Sequence, residues 1–583
     1  MFDVSLFKGA LSFCFLLAAA QYGFTQSNER LAQLSEVTEA DLINPESEDW
    51  LIWRRTYDAQ GYSPLEQIDT TNVDQLKEAW RVDLEDGPNM ATPLVHDGVM
   101  FLASAKDTVL AFDAASGEQL WSYEHRPTGF PSPKIGIALH GDKVIVPTQN
   151  MRVVALEAST GRVIWNHEIS TPDHDSPLRL PYSLRGAPLV ANGMVLQGVT
   201  ATMIPEGGFI VGLDLESGEE VWRFHSIARP DEPGGNTWNN LALKDRSGGS
   251  VWVPASYDPE LDLAYYGTAP TYDTAPLLHA LNEEGISNEA LYTNATIALR
   301  PKTGELVWYF QHMPNDQWDL DWVFERQIVN LEVEGIPRKV VLTAGKMALY
   351  DVLDAETGEY LNSYDVGLQN IVTAIDPETG DKAINPRAIP NSEDANLLCP
   401  MANAGRNWPS ASVNPNKKML YLPLAEICMM FGPTSPTRTL LSTGVAIRAQ
   451  PMADSDGKFG RIQAIDLKTG KMVWNFREVV PPVSATLATE GGLVFVGTLD
   501  NRFLAFDDAD GSLLWEDDLG DIPASFPISY GVDGNQYIAL VVGQPSVYHA
   551  TVLMSYLNEF LGDQSPVIKL PRSGPALVVY ALD

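Results

Sequence analysis

Two aspartates stand two residues apart between two tryptophans in the stretch NDQWDLDW, residues 315–322. In an extended segment the carboxylates of Asp319 and Asp321 would point the same way, because side chains alternate along a strand. Neighbouring carboxylates raise each other's pKa unless a cation lies between them. The spacing therefore indicates a cation site, and the alternative is a strand end with both charges facing water.

The elements that position this stretch belong to a repeat. Each copy is a short strand, a turn ending in Gly and a second strand carrying Trp, which is typical of a β-hairpin. Six clear copies end at Trp121, Trp165, Trp222, Trp308, Trp474 and Trp515, a weaker copy has Asn362 in the tryptophan position, and a partial copy ends at Trp80. The spacing of about 40 residues between the first copies is that of a four-stranded propeller blade.

Counting the copies predicts an all-β fold, an eight-bladed β-propeller over residues 49–583, with the tryptophans packed between blades. The stretch PALVVYALD, residues 575–583, repeats the opening of the unit, so we expect its strand to close the ring by pairing with the first blade. The long gaps from Trp222 to Trp308 and from Asn362 to Trp474 predict insertions, where binding sites tend to collect.

The N-terminus has the layout of a secretory signal peptide, with Lys8 before an apolar run that ends in small residues. We expect cleavage after Ala20, an N-terminal extension over residues 21–48 and a periplasmic protein. Cys399 and Cys428 would then remain, either as a disulfide or as two buried thiols. The net charge of −37 argues against a nucleic-acid partner, and no other apolar run reaches the ~18 residues of a membrane span.

Several motifs between the repeats give the chain a specific resemblance. These are ATPLVHDGVMFLAS, SGGSVWVPASYDPELDLAYYGT, RNWPSASVNP and the repeated A-x-D-x-x-T-G-x-x-x-W. From about residue 50 onward the chain resembles the quinoprotein alcohol dehydrogenases, periplasmic enzymes that use pyrroloquinoline quinone (PQQ). The resemblance implies oxidation of an alcohol or polyol by hydride transfer to PQQ. Because the sequence has no C-x-x-C-H haem motif, it also implies a separate electron acceptor, a cytochrome c.

The resemblance assigns roles to the two aspartates. Asp319 matches the family's general base, which also binds the metal, and Asp321 matches the extra metal ligand of the lanthanide-using branch. A calcium or lanthanide ion is therefore expected at Asp319 and Asp321, where it would act as a Lewis acid, and hard cations of this kind take several oxygen ligands.

The cofactor contacts implied by the resemblance lie in three motifs. Trp252 matches the tryptophan on which the quinone stacks, and Ser250 matches a hydroxyl that bonds the cofactor. Lys346 matches the basic residue near the quinone carbonyls, where positive charge stabilises the reduced form. Asn407 and Trp408 match a further pair of cofactor contacts.

The chain also departs from the family pattern on the cofactor side. The family's adjacent cysteine pair has no counterpart in HRPTGFPSPKIGIALHGDKV, and Ile135 stands where the family has an arginine. Arg185 occupies the place of a family threonine. We interpret Arg185 as a candidate to bind a cofactor carboxylate in place of the lost arginine.

Two family metal ligands are replaced as well, by Met203 for a glutamate and Pro270 for an asparagine. Glu206 and Asp273 are the nearest acidic residues, so either they complete the metal shell or the metal site has been lost. A non-catalytic propeller that serves as an envelope scaffold or protein-binding module is therefore the main alternative function. A hydrolase using the same aspartates is a third alternative, without a G-x-S-x-G motif or zinc-spaced histidines to support it.

Overall fold

The computed structural model of the chain describes residues 29–126, 132–174, 180–434, 445–544 and 550–582. The predicted signal peptide, residues 1–20, lies outside the described residues, as does the first part of the predicted extension. None of the helices within these ranges is long and apolar enough to cross a membrane.

The described residues form a β-propeller, as predicted, with eight sheets of four or five strands. We number these sheets as blades 1 to 8 along the chain, starting from the sheet that contains Leu94–His96. Blade 1 contains the strands Leu94–His96, Val99–Ser104, Thr108–Asp113 and Gln119–Glu124, and blade 2 contains Ala138–His140, Lys143–Pro147, Arg152–Glu157 and Val163–Glu168. Blade 3 contains Leu189–Ala191, Met194–Val199, Phe209–Asp214 and Glu220–His225, and blade 4 contains Ser256–Asp258, Leu263–Gly267, Ala295–Leu299 and Leu306–Gln311.

Blades 5 to 8 continue the ring. Blade 5 contains the strands Gln327–Val333, Ile336–Ala344, Leu349–Asp354 and Tyr360–Asp365, and blade 6 contains Ser412–Asn414, Met419–Ala425, Gly460–Asp466 and Lys471–Glu478. Blade 7 contains Leu487–Thr489, Leu493–Gly497, Arg502–Asp507 and Leu513–Asp518, and Tyr62–Ser63 pairs in parallel with its first strand. Blade 8 contains Ile528–Val532, Asn535–Val542, Ala576–Ala581 and Lys77–Asp83. The pairing of Ala576–Ala581 with Lys77–Asp83 closes the ring, which confirms the prediction for the terminal strand.

The repeat tryptophans pack between blades, as predicted. The indoles of five repeats lie against the turn of the next repeat, where Gly leaves room for the ring: a Cβ on Gly161 would come within 2.6 Å of the Trp121 ring, and the same holds for Trp165, Trp222, Trp308 and Trp474. The indole N–H groups donate to backbone carbonyls of the following repeat, from Trp121 to Ala158 (2.8 Å), Trp165 to Leu215 (3.0 Å), Trp222 to Pro301 (2.8 Å), Trp308 to Ala355 (3.2 Å), Trp474 to Asp508 (3.0 Å) and Trp515 to Leu76 (3.2 Å).

Blade 5, with Asn362 in the tryptophan position, makes the same contact by another route. Two residues further along the strand, and hence on the same face, the Tyr364 hydroxyl donates to the Leu467 carbonyl at 3.0 Å. A Cβ on Gly470 would lie 2.5 Å from the Tyr364 ring. Tyr364 thus replaces the missing tryptophan.

A segment before the first blade crosses the centre of the ring. The Trp50 N–H donates to Val95 in the first strand of blade 1, the Tyr57 hydroxyl to Val190 of blade 3, and the Ile328 N–H of blade 5 to Asp58. The Arg54 guanidinium is fully buried and donates to the carbonyls of Ala411 and Thr486. Because its contacts reach blades 1, 3 and 5 and the residues just before the first strands of blades 6 and 7, the segment 50–61 spans the ring and forms a floor.

The predicted insertions are present in blades 4 and 6. Residues 268–294 separate the second and third strands of blade 4 and carry the 3-10 helix Ala275–Leu277, and the second insertion forms two small sheets. The strands of those sheets are Val372–Ile375 and Lys382–Ile384; Asn396–Leu398, Ile427–Thr434 and Val445–Pro451. The helix Val552–Leu561 has ten residues. The other helices in the described ranges are short, and they include Glu39–Ile43, Val73–Gln75, Ala105–Asp107, Gly235–Thr237, Leu243–Asp245, Pro386–Ala388 and Gly562–Gln564.

Cys399 and Cys428 form a disulfide, which decides between the two alternatives left open by the sequence. The bridge joins the strand Asn396–Leu398, at its end, to the strand Ile427–Thr434, which are already paired in one small sheet. The loop that it closes contains Asn407 and Trp408, so the disulfide restrains a segment that the resemblance assigns to the cofactor site.

Candidate active site

The loop that carries the two aspartates is folded around a third carboxylate. Asp316 is buried, and its Oδ1 accepts from the Trp318 N–H (2.7 Å). Its Oδ2 accepts from the Leu320 N–H (2.7 Å) and from the Asn294 amide (2.9 Å). Asp319 has φ of +62°, in the left-handed region, so the segment is not the extended strand that would align the carboxylates by alternation. The loop, rather than a strand, brings them together.

The carboxylates of Asp319 and Asp321 meet at the ammonium group of Lys346. Lys346 Nζ lies 2.7 Å from Asp321 Oδ1 and 3.3 Å from Asp319 Oδ1, and it also donates to the Asp319 carbonyl at 2.8 Å. The Lys346 N–H donates to the Asp321 carbonyl at 3.0 Å. Only 8% of the Lys346 side chain and 3% of the Asp321 side chain are exposed. The ammonium of Lys346 therefore lies between the two carboxylates.

Burial and charge shift the pKa values of this cluster. Burial raises the pKa of Asp319 well above its usual range, the Lys346 ammonium opposes that shift, and the Asp321 carboxylate adds to it. Burial alone would lower the pKa of Lys346, but the two carboxylates outweigh burial and raise it. Lys346 is therefore charged at neutral pH, and Asp319 binds a proton more readily than an ordinary aspartate.

An apolar cluster lies beside the charged groups at the centre of the ring. Its buried members include Trp53, Met90, Ile135, Ala187, Met203, Val253, Ala269, Tyr272, Val323, Phe324, Trp408 and Phe526, and the partly exposed Trp252 packs against it. Trp252 meets Phe324 edge to face, with ring centroids 5.6 Å apart. Trp408 stacks on Phe526 at 5.4 Å, and Phe526 in turn contacts Trp53 of the floor segment. Tyr272 of this cluster lies within electrostatic reach of Asp319 and Asp321, so the aromatic rings lie near the two carboxylates.

The polar residues predicted to contact the cofactor lie around this cluster. The Ser250 hydroxyl is buried and accepts from the Ala201 N–H at 2.9 Å. The Asn407 side-chain carbonyl accepts from the Trp408 N–H at 2.8 Å, and Asn407 remains partly exposed. The partly exposed Arg185 carries a backbone carbonyl that accepts from the Ile135 N–H at 2.8 Å. These contacts fix the backbone on both sides of the apolar cluster.

Two residues of the site, Tyr272 and Lys134, were not predicted from the sequence. Burial, followed by the charges of Asp321 and Asp319, raises the pKa of Tyr272, and the charge of Arg185 opposes the rise. The Tyr272 phenol therefore lies within electrostatic reach of both carboxylates and of Arg185. Burial, with a smaller contribution from the charge of Arg185, lowers the pKa of Lys134 to about 8, although the charge of Asp107 opposes the shift. A single lysine within the apolar run PSPKIGIAL was the available signal for Lys134.

Glu206 and Asp273 do not complete a metal shell. Glu206 is half-buried and lies 3.9 Å from Arg229, and Asp273 is exposed. Within the described ranges no three His, Cys, Asp or Glu side chains converge on a point that could hold a metal ion. Asp319 and Asp321 are left as two carboxylates with an ammonium between them. This donor set does not fit calcium or a lanthanide ion, which take six to eight oxygen ligands.

The residues do fit PQQ. A flat aromatic quinone with carboxylates calls for a ring platform, a cation near its carbonyls and cationic partners for its acid groups. Trp252 is partly exposed at the edge of an aromatic cluster, Lys346 is charged, and Arg185 lies within electrostatic reach of Tyr272. Which of these groups contact the cofactor stays a prediction.

Comparison with known proteins identifies the family. Residues 50–365 and 433–538 match the PQQ family described as the glucose/ethanol/alcohol dehydrogenase β-propeller domain. The chain is 31% identical over 558 residues to the quinohemoprotein alcohol dehydrogenase ADH IIB of Pseudomonas putida, covering 92% of this chain and 78% of that protein. The chain belongs to the PQQ-dependent alcohol dehydrogenases.

Solved structures agree with this assignment. The crystal structure of the quinohemoprotein alcohol dehydrogenase from Comamonas testosteroni superposes with a TM-score of 0.81 at 26% identity, covering 96% of this chain and 84% of that one. A europium-containing methanol dehydrogenase gives a TM-score of 0.79 at 26% identity, covering 93% and 99% of the two chains. The propeller and its alcohol-oxidising class are therefore shared with enzymes of known structure.

Proposed function

We propose that the protein is a periplasmic dehydrogenase that oxidises the CH–OH group of an alcohol or polyol, with PQQ bound at the centre of the propeller. The observation that carries this proposal is the meeting of Asp319 and Lys346 beside the aromatic cluster that includes Trp252. A base, a fixed positive charge and a ring platform are what oxidation by a bound quinone requires of a protein.

PQQ, when bound, supplies the acceptor for the hydride of the alcohol. Asp319 would take the proton of the alcohol hydroxyl and so prepare the alcohol carbon to give up its hydride. The raised pKa of Asp319 suits this task, because a base works best when its pKa lies near the working pH. Lys346 holds the Asp319 side chain through a 3.3 Å contact and directs the carboxylate toward one position.

The remaining residues would bind the cofactor and exclude water. Trp252 would support the face of the quinone, Ser250, Asn407 and Trp408 would line its edge, and Arg185 would pair with a carboxylate. The two electrons of each turnover would leave to a separate acceptor, which we propose to be a cytochrome c. The alcohol itself would enter between the loops of the blade 4 and blade 6 insertions.

The test is reconstitution of the mature protein with PQQ. The protein is incubated with PQQ alone, with PQQ and calcium, and with PQQ and lanthanum, and unbound cofactor is removed by gel filtration. We expect quinone absorbance to remain with the protein and alcohols to drive dye reduction. Loss of all quinone under all three conditions would overturn the proposal and favour the scaffold function, for which the apolar replacements Ile135 and Met203 provide the physical reason.

A further inference from the structure

Lys346 is joined to the segment 319–321 at two points. Its ammonium contacts both carboxylates, at 2.7 Å and 3.3 Å, and its own N–H donates to the Asp321 carbonyl at 3.0 Å. The backbone bond fixes where the side chain starts, and the ion pairs fix where it ends. The ammonium is thus held in place between the carboxylates rather than reaching them from a mobile side chain.

The surroundings of this ion pair offer little to a metal ion. Both oxygens of Asp316, the next carboxylate in the loop, are occupied by the N–H groups of Trp318 and Leu320 and by the Asn294 amide. Met203 is buried in the apolar cluster that contains Tyr272 and Ile135. A hard cation prefers carboxylate and carbonyl oxygens over a thioether and hydrocarbon, so this cluster disfavours it.

We propose that the ammonium of Lys346 takes the place of the metal ion in this protein, so that PQQ binds without calcium or a lanthanide. The inference rests on the proposed function, because it concerns how the same site holds its quinone. Lys346 has three N–H donors, which face the Asp321 carboxylate, the Asp319 carbonyl and the Asp319 carboxylate, and the contact to the Asp319 carboxylate is the longest of the three at 3.3 Å. In the loaded protein a quinone carbonyl would share the N–H that faces the Asp319 carboxylate, and the positive charge of Lys346 would polarise that carbonyl, the part that a Lewis acid otherwise performs.

The first measurement is PQQ affinity with and without metal. The protein is stripped with a chelator, titrated with PQQ while tryptophan fluorescence is followed, and the titration is repeated with calcium and with lanthanum. We expect the dissociation constants to agree within about threefold. Elemental analysis of the loaded protein should find less than one calcium or lanthanide ion for about every ten chains. A gain in affinity of about tenfold or more with either metal, or one retained ion per chain, would overturn the inference.

Variants of Lys346 separate its charge from its contribution to packing. In Lys346→Gln the pair Asp319 and Asp321 loses its cation, so PQQ binding should weaken in chelator and remain weak when calcium or lanthanum is added. Lys346→Arg keeps the positive charge and should bind PQQ equally well with and without metal. Lys106→Gln, which removes an exposed lysine paired with Glu85, is the matched control and should behave like the parent protein. Thermal unfolding of each variant shows whether it is folded.

The outcomes distinguish the inference from the proposed function. Binding of PQQ only with metal, in the parent protein, would contradict the role of Lys346 and leave the dehydrogenase intact. Absence of PQQ binding under every condition would contradict both. A Lys346→Gln variant that is folded and binds PQQ in chelator as tightly as the parent protein would also overturn the inference, because the ammonium would then contribute nothing.

Discussion

The imidazole ring of His312 lies parallel to the indole of Trp322, with centroids 4.5 Å apart and planes inclined by 6°. Trp322 directly follows Asp321, so this stack supports the loop that carries the two carboxylates. His312 Nδ1 lies 2.7 Å from Asp351 Oδ2, which makes Nδ1 the donor and leaves Nε2 to accept from the Thr296 hydroxyl at 2.7 Å. Beneath the site, therefore, lies a buried polar network.

The stability of the protein should fall in mild acid because of His312. Burial, with smaller contributions from Arg326 and Lys382, lowers the pKa of His312 to about 4, although Asp351 opposes the shift. The folded protein keeps this ring neutral, whereas the unfolded chain protonates it below pH ~6.5. The neutral ring of His312 therefore contributes fully to the free energy of unfolding above pH ~6.5. This contribution, on the order of 3 kcal/mol, is lost as the pH falls toward 4.

Urea unfolding at pH 7.5 and at pH 4.5 measures this effect. His312→Gln keeps a polar side chain but cannot titrate, so its free energy of unfolding should change less between the two pH values than that of the parent protein. Equal changes in both proteins would show that other groups cause the acid sensitivity.

Asp319→Asn should abolish turnover while leaving the quinone site in place. The amide cannot accept the hydroxyl proton, and loss of a general base lowers rates by about 10²- to 10⁴-fold. Dye-linked alcohol oxidation and PQQ titration are measured together. Asp273→Asn, at an exposed carboxylate near the site in sequence, is the control and should keep parental activity. An active Asp319→Asn protein would remove the proposed base from the mechanism.

The acid side of the pH–rate profile should report the same group. Asp319 must be ionised to accept a proton, and its pKa is raised, chiefly by burial. The rate should therefore fall with decreasing pH around a midpoint that is higher than the ~3.9 of an unperturbed aspartate. A rate that stays constant down to pH ~4 would contradict this assignment.

Trp252 should contribute to quinone affinity through its ring. Trp252→Ala removes the platform and should weaken PQQ binding about tenfold or more, from a stacking free energy of about 1.5 kcal/mol. Trp252→Phe keeps a smaller ring, so its affinity for PQQ should lie between those of the parent protein and Trp252→Ala. If Trp252→Ala binds PQQ as tightly as the parent protein, the quinone does not stack there.

The Cys399–Cys428 disulfide should stabilise the segment that carries Asn407 and Trp408. It closes a loop across a sequence separation of 29 residues, which corresponds to about 3.6 kcal/mol from restricting the unfolded chain. Replacement of both cysteines by serine should lower the free energy of unfolding by this amount, measured with urea. Reducing agent should destabilise the parent protein and leave the double variant unchanged, and equal stability of the two proteins would contradict the prediction.

The repeat predicted the fold because the information in each hairpin is local. A strand, a turn with Gly and a strand with Trp define a blade without reference to distant residues, and the docking of Trp121 on the turn at Gly161 shows why both residues recur. The floor formed by residues 50–61 could not be predicted, since its partners lie in the first strands of distant blades. Tyr364 was missed because it serves the role of tryptophan from a different strand position.

The site was predicted in part. The spacing of Asp319 and Asp321 led us to expect two carboxylates side by side along an extended strand, but Asp319 has a left-handed backbone and Asp316 organises a loop that brings them together at Lys346. That the cation is Lys346 depends on a contact across 25 residues to Asp321, which spacing does not encode. The acidic residues Glu206 and Asp273 were near in sequence to the family's ligand positions but do not join the cluster.

The crystal structure of the protein loaded with PQQ in chelator is the most direct test of this account. We predict planar density against the ring of Trp252, with a quinone oxygen within ~3.2 Å of Lys346 Nζ and an open approach for an alcohol to Asp319. Density for the quinone elsewhere, or a centre filled only by the apolar cluster at saturating PQQ, would contradict it.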